Sequence, residues 1–411
     1  MINPRSELPK LTEQLTKGIV EKTAETVRRQ YVFAEDAERM AERLLSKQQQ
    51  GAFADGETVP QLAKLLTDTL MTVREDLHLA VLPWNGEVEQ SGMYDAWKRR
   101  WLRHNYEFRA LEILLGNVGY LDLRGFASAL VAGPTAAAAM QFLAHSDALI
   151  FDLRDNGGGE DLVYMLMSYL FDEAKHVHTA RYRDHDEQSW TYAYVPGPRF
   201  SDHPVYVLIS RSTFSAGEDF SYNLQQLGRV TVVGEPTRGG AHPVEFYRFP
   251  ELYLELMIPN AYSVNPVTTG NWEDGGVVPD VEAPADGALS VAHEHALTRL
   301  VEVAEEDEAR RFREWALETI RARRAGWNVP AERLALYAGR YTRSVVVEAR
   351  DDTLRLSWGG RRNHRLTPVS EHRFEFDHGT QRVTFSVDNG DVKSLLWETE
   401  DGNAWTMERL T

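Results

Sequence analysis

At Ser215 the sequence changes character within a few residues. The apolar run VYVLI at 205–209 gives way to the small and hydroxyl residues of SRSTFS, and GEDFSYNLQQL at 217–227 then reads as a helix. A strand that breaks sharply into a helix holds a side-chain oxygen out of the sheet, and it aims the first free N–H groups of the helix at whatever that oxygen attacks. Such donors stabilise an oxyanion, which makes Ser215 a candidate nucleophile. A serine just before a helix is also a common N-cap, so the reading needs support from elsewhere in the chain. Three stretches supply it. DLRDNGGGE at 152–160 opens a strand into three glycines, whose missing Cβ atoms let backbone N–H groups approach a ligand closely. His78 stands at the entry to a strand-like segment and is a candidate general base. Glu273, in NWEDGG, is a carboxylate able to orient an imidazolium.

The elements that must position these groups follow from periodicity. Apolar residues recur at helical spacing in Leu11, Leu15, Ile19 and Val20, then in Met40, Leu44 and Leu45, then in Leu62, Leu65, Leu66 and Leu70, which predicts a helical bundle over residues 1–80. Residues 90–118 read as a charged, aromatic connector, and its basic run WKRRWLRHNY as a solvated face. From Gly116 strands alternate with helices, as in an α/β core. NVGYLDL is a strand, GPTAAAAMQFLAHS a helix, ALIFDL a strand, LVYMLMSYLF a helix and VTVVGE a strand; a hairpin follows through FYRF and LYLELMIP. Residues 290–325 read as helical, with acids early and arginines late, in accord with the helix dipole. From Tyr337 onward about seven short alternating runs, broken by turn pairs such as DD, GG, NG and DG, predict a separate antiparallel β module closing as a barrel or sandwich. Tyr337, Tyr341, Trp358, Phe374, Phe376, Phe385, Trp397 and Trp405 would fill its core. The domains are then residues 1–80, 81–300, a linking helix at 301–330, and 331–411.

Composition narrows the chemistry. With 45 basic against 62 acidic residues the net charge is −17, which argues against nucleic acid or an anionic membrane as the main partner. The chain has no cysteine, so thiol nucleophiles, disulfides and zinc–thiolate sites are excluded. No run approaches the roughly 20 apolar residues of a membrane span, and the N-terminus lacks a secretion signal, so a cytoplasmic protein is expected.

Taken in order, GNVGYLDL, ALIFDLRDNGGG, TFSAGEDFSYNLQQLGRVTVVGEPTRGGAHP and NWEDGGVVPDV resemble the tail-specific (C-terminal processing) proteases. Within that family they are most similar to the branch of the tricorn protease core and the interphotoreceptor retinoid-binding protein. The resemblance covers roughly residues 30–300. It implies a crotonase-like α/β core and serine peptidase activity. It also implies roles: Ser215 as nucleophile, His78 as base, Glu273 as its orienting carboxylate, and N–H groups of Gly157 or Gly158 and of Ala216 as oxyanion donors. The tail-specific branch uses a lysine after the next strand, but Gly240 holds that position here, so a Ser–Lys dyad is ruled out. Tricorn-type sites place a serine before the histidine where this chain has Leu77, and His242, in the turn that replaces the lysine, is a reserve candidate for the base. Only about 40 residues separate His78 from Tyr120, too few for a PDZ insertion.

The expected activity is hydrolysis of short or unfolded peptides, or of a small acyl substrate, through an acyl-enzyme that requires no metal or organic cofactor. Two other functions fit the same scaffold: acyl transfer or cyclisation, and binding of an apolar, retinoid-like or lipid-like ligand. Homo-oligomer formation, for instance through the β module, stays open.

Overall fold

In the computed structural model, which describes residues 8–54, 56–84, 101–350, 352–360 and 363–410, the chain begins with three helices whose starts are set by threonine caps or acidic first turns. Helix α1 (Glu13–Gln30) follows Thr12, whose Oγ1 accepts the Leu15 N–H at 3.2 Å. Helix α2 (Ala34–Gln49) carries Glu35 and Asp36 in its first turn, and α3 (Val59–Met71) opens with a capping box between Thr58 and Gln61. Their apolar stripes meet in a core that includes Ile19, Val27, Met40, Leu44, Leu62 and Leu66. The helices do not close this core alone: Leu254, Leu256 and Ile258, from far along the chain, belong to it.

Strands and helices then alternate: β1 (Ala80–Pro83), β2 (Phe108–Leu114), β3 (Val118–Leu123), α4 (Ala129–Phe142), β4 (Ala148–Asp152), α5 (Leu162–Ser168), β5 (His176–Arg181), β6 (Asp186–Trp190), β7 (Val205–Ile209), α6 (Ala216–Gln226), β8 (Thr231–Gly234), β9 (Val244–Phe249), β10 (Leu254–Pro259), β11 (Tyr262–Val264) and β12 (Val281–Glu282). A six-stranded sheet runs in the order β12-β8-β7-β4-β3-β2, with β12, β8 and β7 parallel. Every residue of β4 and β7 is buried, as expected for strands covered on both faces. Strand β2 lies where the sequence reading placed a connector; its alternating apolar residues are interleaved with charges, so most of its positions face solvent and the run does not stand out. Residues 85–100, including the first four of the basic run, lie outside the described residues.

A second sheet, β1-β10-β9, contains the predicted hairpin and determines which loops meet. Ala80 pairs with Met257 and Met257 with Phe246, so β1 and β9 run alongside β10 in the same direction, with residues 80 and 246 level. Four residues back along each chain lead to Asp76 and His242.

By compactness the chain divides into two units, one of residues 1–111, 121–144 and 151–285, the other of 112–120, 145–150 and 286–411. The second unit holds α7 (Ala288–Glu302), α8 (Asp307–Ala325), α9 (Ala331–Tyr337) and an eight-stranded antiparallel meander, β13 (Gly339–Tyr341), β14 (Val345–Arg350), β15 (Thr353–Trp358), β16 (His364–Pro368), β17 (Arg373–Phe376), β18 (Gln381–Asp388), β19 (Asp391–Thr399) and β20 (Ala404–Glu408). The single helix expected over 290–325 is two, because the acids at 305–308 lie at the start of α8, where the helix dipole favours negative charge, rather than inside a continuous helix. Tyr341 bridges to Arg409, and the Leu410 N–H donates to the Arg340 carbonyl at 2.8 Å, so the last strand returns to the first and the barrel nearly closes. Six of the eight expected aromatics belong to or pack on its core; Trp358 ends β15 and Trp405 sits on the final strand, and both are exposed. Among the described residues no helix is long and apolar enough to cross a membrane.

Candidate active site

Strand β7 ends at Ile209, and the turn that follows is tied back to the sheet by its own hydroxyls. Thr213 Oγ1 donates to the Leu153 carbonyl at 2.7 Å and accepts the Ser210 N–H at 3.0 Å, while the Ser210 hydroxyl donates to the Arg154 carbonyl at 2.5 Å. Ser215 then takes φ +53° and ψ −120°, a conformation rare outside glycine, immediately before α6. Strain of this kind persists only where surroundings over-determine the backbone, and it concentrates at functional sites. Ala216 is the first residue of α6, so its N–H has no place in the helix ladder.

The glycine turn lies against this serine. Buried Asn156 joins the two segments: its carbonyl accepts the Phe214 N–H at 2.9 Å, its Oδ1 accepts the Gly158 N–H at 2.8 Å, and its Nδ2 donates to the Leu123 carbonyl at 2.9 Å. Gly158 adopts φ +95°, and a Cβ there would sit 2.7 Å from the Ser215 Cβ, so only glycine permits the approach. The Gly158 N–H is therefore engaged within the turn, and that of Gly157 faces the Arg124 carbonyl at 3.4 Å.

A cavity of about 250 Å³ opens beside Ser215. Ala216, Gly159, Gly240 and His242 share its wall, together with carboxylates of Glu160, Asp161 and Asp219 and the imidazole of His178. Of the residues singled out in the sequence, Ser215, Ala216 and His242 thus come together; Gly157, Gly158, His78 and Glu273 are not in the wall. His78 is buried against the Phe214 ring, 4.7 Å between centroids, and its Nδ1 has no hydrogen-bond partner among the described residues. Burial pulls its pKa down to about 4, with His242 adding to the shift and Asp76 opposing it. Gly240, at the lysine position, lets these rings pack: a Cβ would lie 2.4 Å from Phe214 and 2.9 Å from His78.

Glu273 attends the other imidazole. Its Oε2 accepts the Ala241 N–H at 2.5 Å and its Oε1 lies 3.5 Å from His242 Nδ1, while burial raises its pKa. His242 Nδ1 is closer still to Asp76 Oδ2, at 2.8 Å. Leu77 is partly exposed.

Three groups went unnoticed in the sequence. Asp76 is wholly buried; its Oδ2 also accepts the Tyr31 hydroxyl at 3.0 Å and its Oδ1 the His78 N–H at 3.1 Å. Only its place two residues before His78 hinted at it. Glu218, also wholly buried, accepts from the Ser215 N–H at 2.8 Å, the Thr237 hydroxyl at 2.5 Å and the Gly239 N–H at 2.8 Å, and burial raises its pKa. Its signal was the Ser-x-x-Glu spacing of a capping box. His178 Nδ1 lies 3.4 Å from Asp219 Oδ1; burial lowers the pKa of this imidazole, but the carboxylate outweighs it and the net shift is upward. Asp76, His242 and Glu273 also offer ligand atoms within 4.8 Å of one another, a spacing that the imidazole N–H between carboxylates already accounts for.

Comparison with known proteins agrees with this architecture. Residues 117–283 match the family model described as Peptidase family S41, and residues 5–97 match that of the N-terminal domain of Peptidase_S41 in eukaryotic IRBP. A crystal structure of a CPAF mutant aligns over 75% of this chain and 98% of its own with TM-score 0.50 at 10% identity, a likeness of fold. A putative peptidase from Parabacteroides merdae aligns over 72% of this chain and 98% of its own (TM-score 0.49, 19% identity), and the photosystem II D1 C-terminal processing protease over 67% and 94% (TM-score 0.44, 15% identity). The chain belongs to peptidase family S41.

Proposed function

We propose that the protein is a serine peptidase that cleaves peptide bonds through an acyl-enzyme built on a crotonase-like core. The observation that carries this reading is Ser215 itself, held at positive φ at the head of α6 and in the wall of a cavity shared with Ala216 and His242. Its Oγ attacks the peptide carbonyl, and the oxyanion forms beside the N-terminus of α6, where the Ala216 N–H is the donor not committed to the helix. The family pattern adds Gly157 or Gly158 as a second donor and gives proton transfer to His78, with Glu273 to orient it. Support for these is unequal, since the Gly158 N–H is engaged by Asn156 and Glu273 attends His242.

An apolar ligand is a poorer occupant. The cavity wall carries Glu160, Asp161, Asp219 and two imidazoles, groups whose desolvation a retinoid-like molecule could not repay with hydrogen bonds. Acyl transfer shares every step up to the acyl-enzyme; product mass separates it from hydrolysis by the presence or absence of one added water. The test of the main reading is a fluorophosphonate probe, expected to label Ser215 in the folded protein. Peptide mapping that finds the adduct elsewhere, or no adduct, would sink it.

A further inference from the structure

We infer that the imidazole serving Ser215 is His242, and that Asp76 is the positioning residue that holds it for that task; the inference rests on the serine peptidase reading above.

The geometry is that of a base with its orienting carboxylate. His242 Nδ1 lies 2.8 Å from Asp76 Oδ2, with His242 3% exposed and Asp76 not exposed at all. The carboxylate accepts, so Nδ1 carries the proton and Nε2 is left as the acceptor. Asp76 is itself fixed, because Tyr31 donates to the same oxygen and the His78 N–H to the other. Burial pushes the Asp76 pKa up, but His242, the His78 N–H and Tyr31 together outweigh it and keep the group below the usual carboxylate range. Among the described residues, His242 also has Glu273 at 3.5 Å and His78 nearby, with Arg74 acting on Glu273, and it shares the cavity wall with Glu160, Asp161, Asp219 and His178.

Register between nucleophile and base has a physical cause as well. Glu218 accepts from Ser215 on one side and from Thr237 and Gly239 on the other, so one buried carboxylate pins the Ser215 turn to the 237–243 turn that carries His242. Both turns line the same cavity. His78 lacks each of these features: no partner orients its Nδ1, and an imidazole held to about 4 gives little driving force for taking a serine proton near neutral pH.

In the step so described, the Ser215 O–H proton passes to His242 Nε2 while Oγ bonds to the carbonyl carbon and the carbonyl π pair moves to oxygen. Collapse of that intermediate breaks the C–N bond, and the proton on Nε2 goes to the leaving amine. Water then repeats the sequence on the ester, releasing the acid and free Ser215.

A peptidyl chloromethyl ketone, applied to the wild-type protein, tests this without any variant. Such a reagent bonds the serine and alkylates the imidazole that serves it, and mapping is expected to find the alkyl group on His242. Alkylation of His78 or His178 instead would overturn the inference. In variants, Asp76→Asn should lower kcat by about 10⁴ through loss of the correct tautomer, with KM within about threefold. Asp76→Glu should recover part of the loss and shift the acid limb of kcat/KM. Turnover that survives His242→Ala but not His78→Ala counts against the inference, as does turnover lost to a chelator and restored by zinc. Failure of the fluorophosphonate to label Ser215 removes the peptidase reading, and this inference falls with it; labelling of Ser215 with alkylation of another histidine removes this inference alone.

Discussion

Two parts of the molecule bury charge, and they do it differently. In the β module, buried Arg382 donates to Glu318 at 2.6 Å, to the Trp315 carbonyl at 2.6 Å and to Thr319 at 2.5 Å, with its guanidinium 3.9 Å from the Trp315 ring; buried Glu375 meets Arg323 at 2.8 Å. Each carboxylate there faces a guanidinium, which stays charged at any ordinary pH. Around Ser215 the buried acids Asp76 and Glu218 and the half-buried Glu273 face imidazoles, hydroxyls and backbone N–H groups instead, with Glu218 and Glu273 raised by burial. Burial raises the pKa of Glu375 as well, against the pull of Arg323 and Arg382; the difference lies in the partners, since a guanidinium keeps its proton whereas an imidazole can take one up and give it back. The first arrangement suits structure and the second suits proton transfer.

If that contrast is sound, damage to one region should fall on turnover and damage to the other on stability. Ser215→Ala is expected to cut peptide turnover by on the order of 10⁶ with the melting temperature little changed. Measured by product mass and calorimetry on the same sample, a loss under tenfold would break the comparison at its catalytic end. Arg382→Met should cost about 3–5 kcal/mol, because buried Glu375 loses a compensating charge and the Trp315 carbonyl and Thr319 lose their donor, while the turnover of the molecules that remain folded stays the same. Urea midpoints and active-site titration separate the two, and a parallel fall in turnover would argue that the module does more than support itself.

The smallest effect is a pH dependence. His78 has a folded pKa of about 4 against an ordinary 6.5, so the folded state favours its neutral form. A depressed value of this kind contributes stability that is complete above 6.5 and is lost as pH falls through 4, about 3 kcal/mol over that window. Replacement His78→Gln should flatten the wild-type curve of unfolding free energy between these pH values. Curves that stay parallel would mean that His78 is not held neutral by burial.

The residues that could be read from the sequence are those whose signals are local. The strand at 205–209, the turn into α6, the glycine run at 157–159 and the hairpin all follow from period-2 or period-3.6 patterns and from residues that favour turns. The β module was legible for the same reason, although seven runs became eight strands and two tryptophans expected inside lie outside. The break between α7 and α8 was missed because charges spaced for a helix start also occur within helices.

The partners of the site were not legible, and the reason is separation along the chain. Asp76 and His242 are 166 residues apart and meet because β1 and β9 flank β10 in one register, an outcome set by hydrogen bonds to a strand that neither residue belongs to. Glu218 carries a visible capping spacing to Ser215, but nothing local shows that its other oxygen reaches Thr237 and Gly239. By itself the sequence determined the serine, its strand-to-helix turn and the glycines that allow close approach, because these depend on a few neighbouring φ/ψ angles. Only the tertiary structure decided which imidazole each carboxylate holds, because that depends on sheet register and on the burial that makes an unpaired charge too costly to leave.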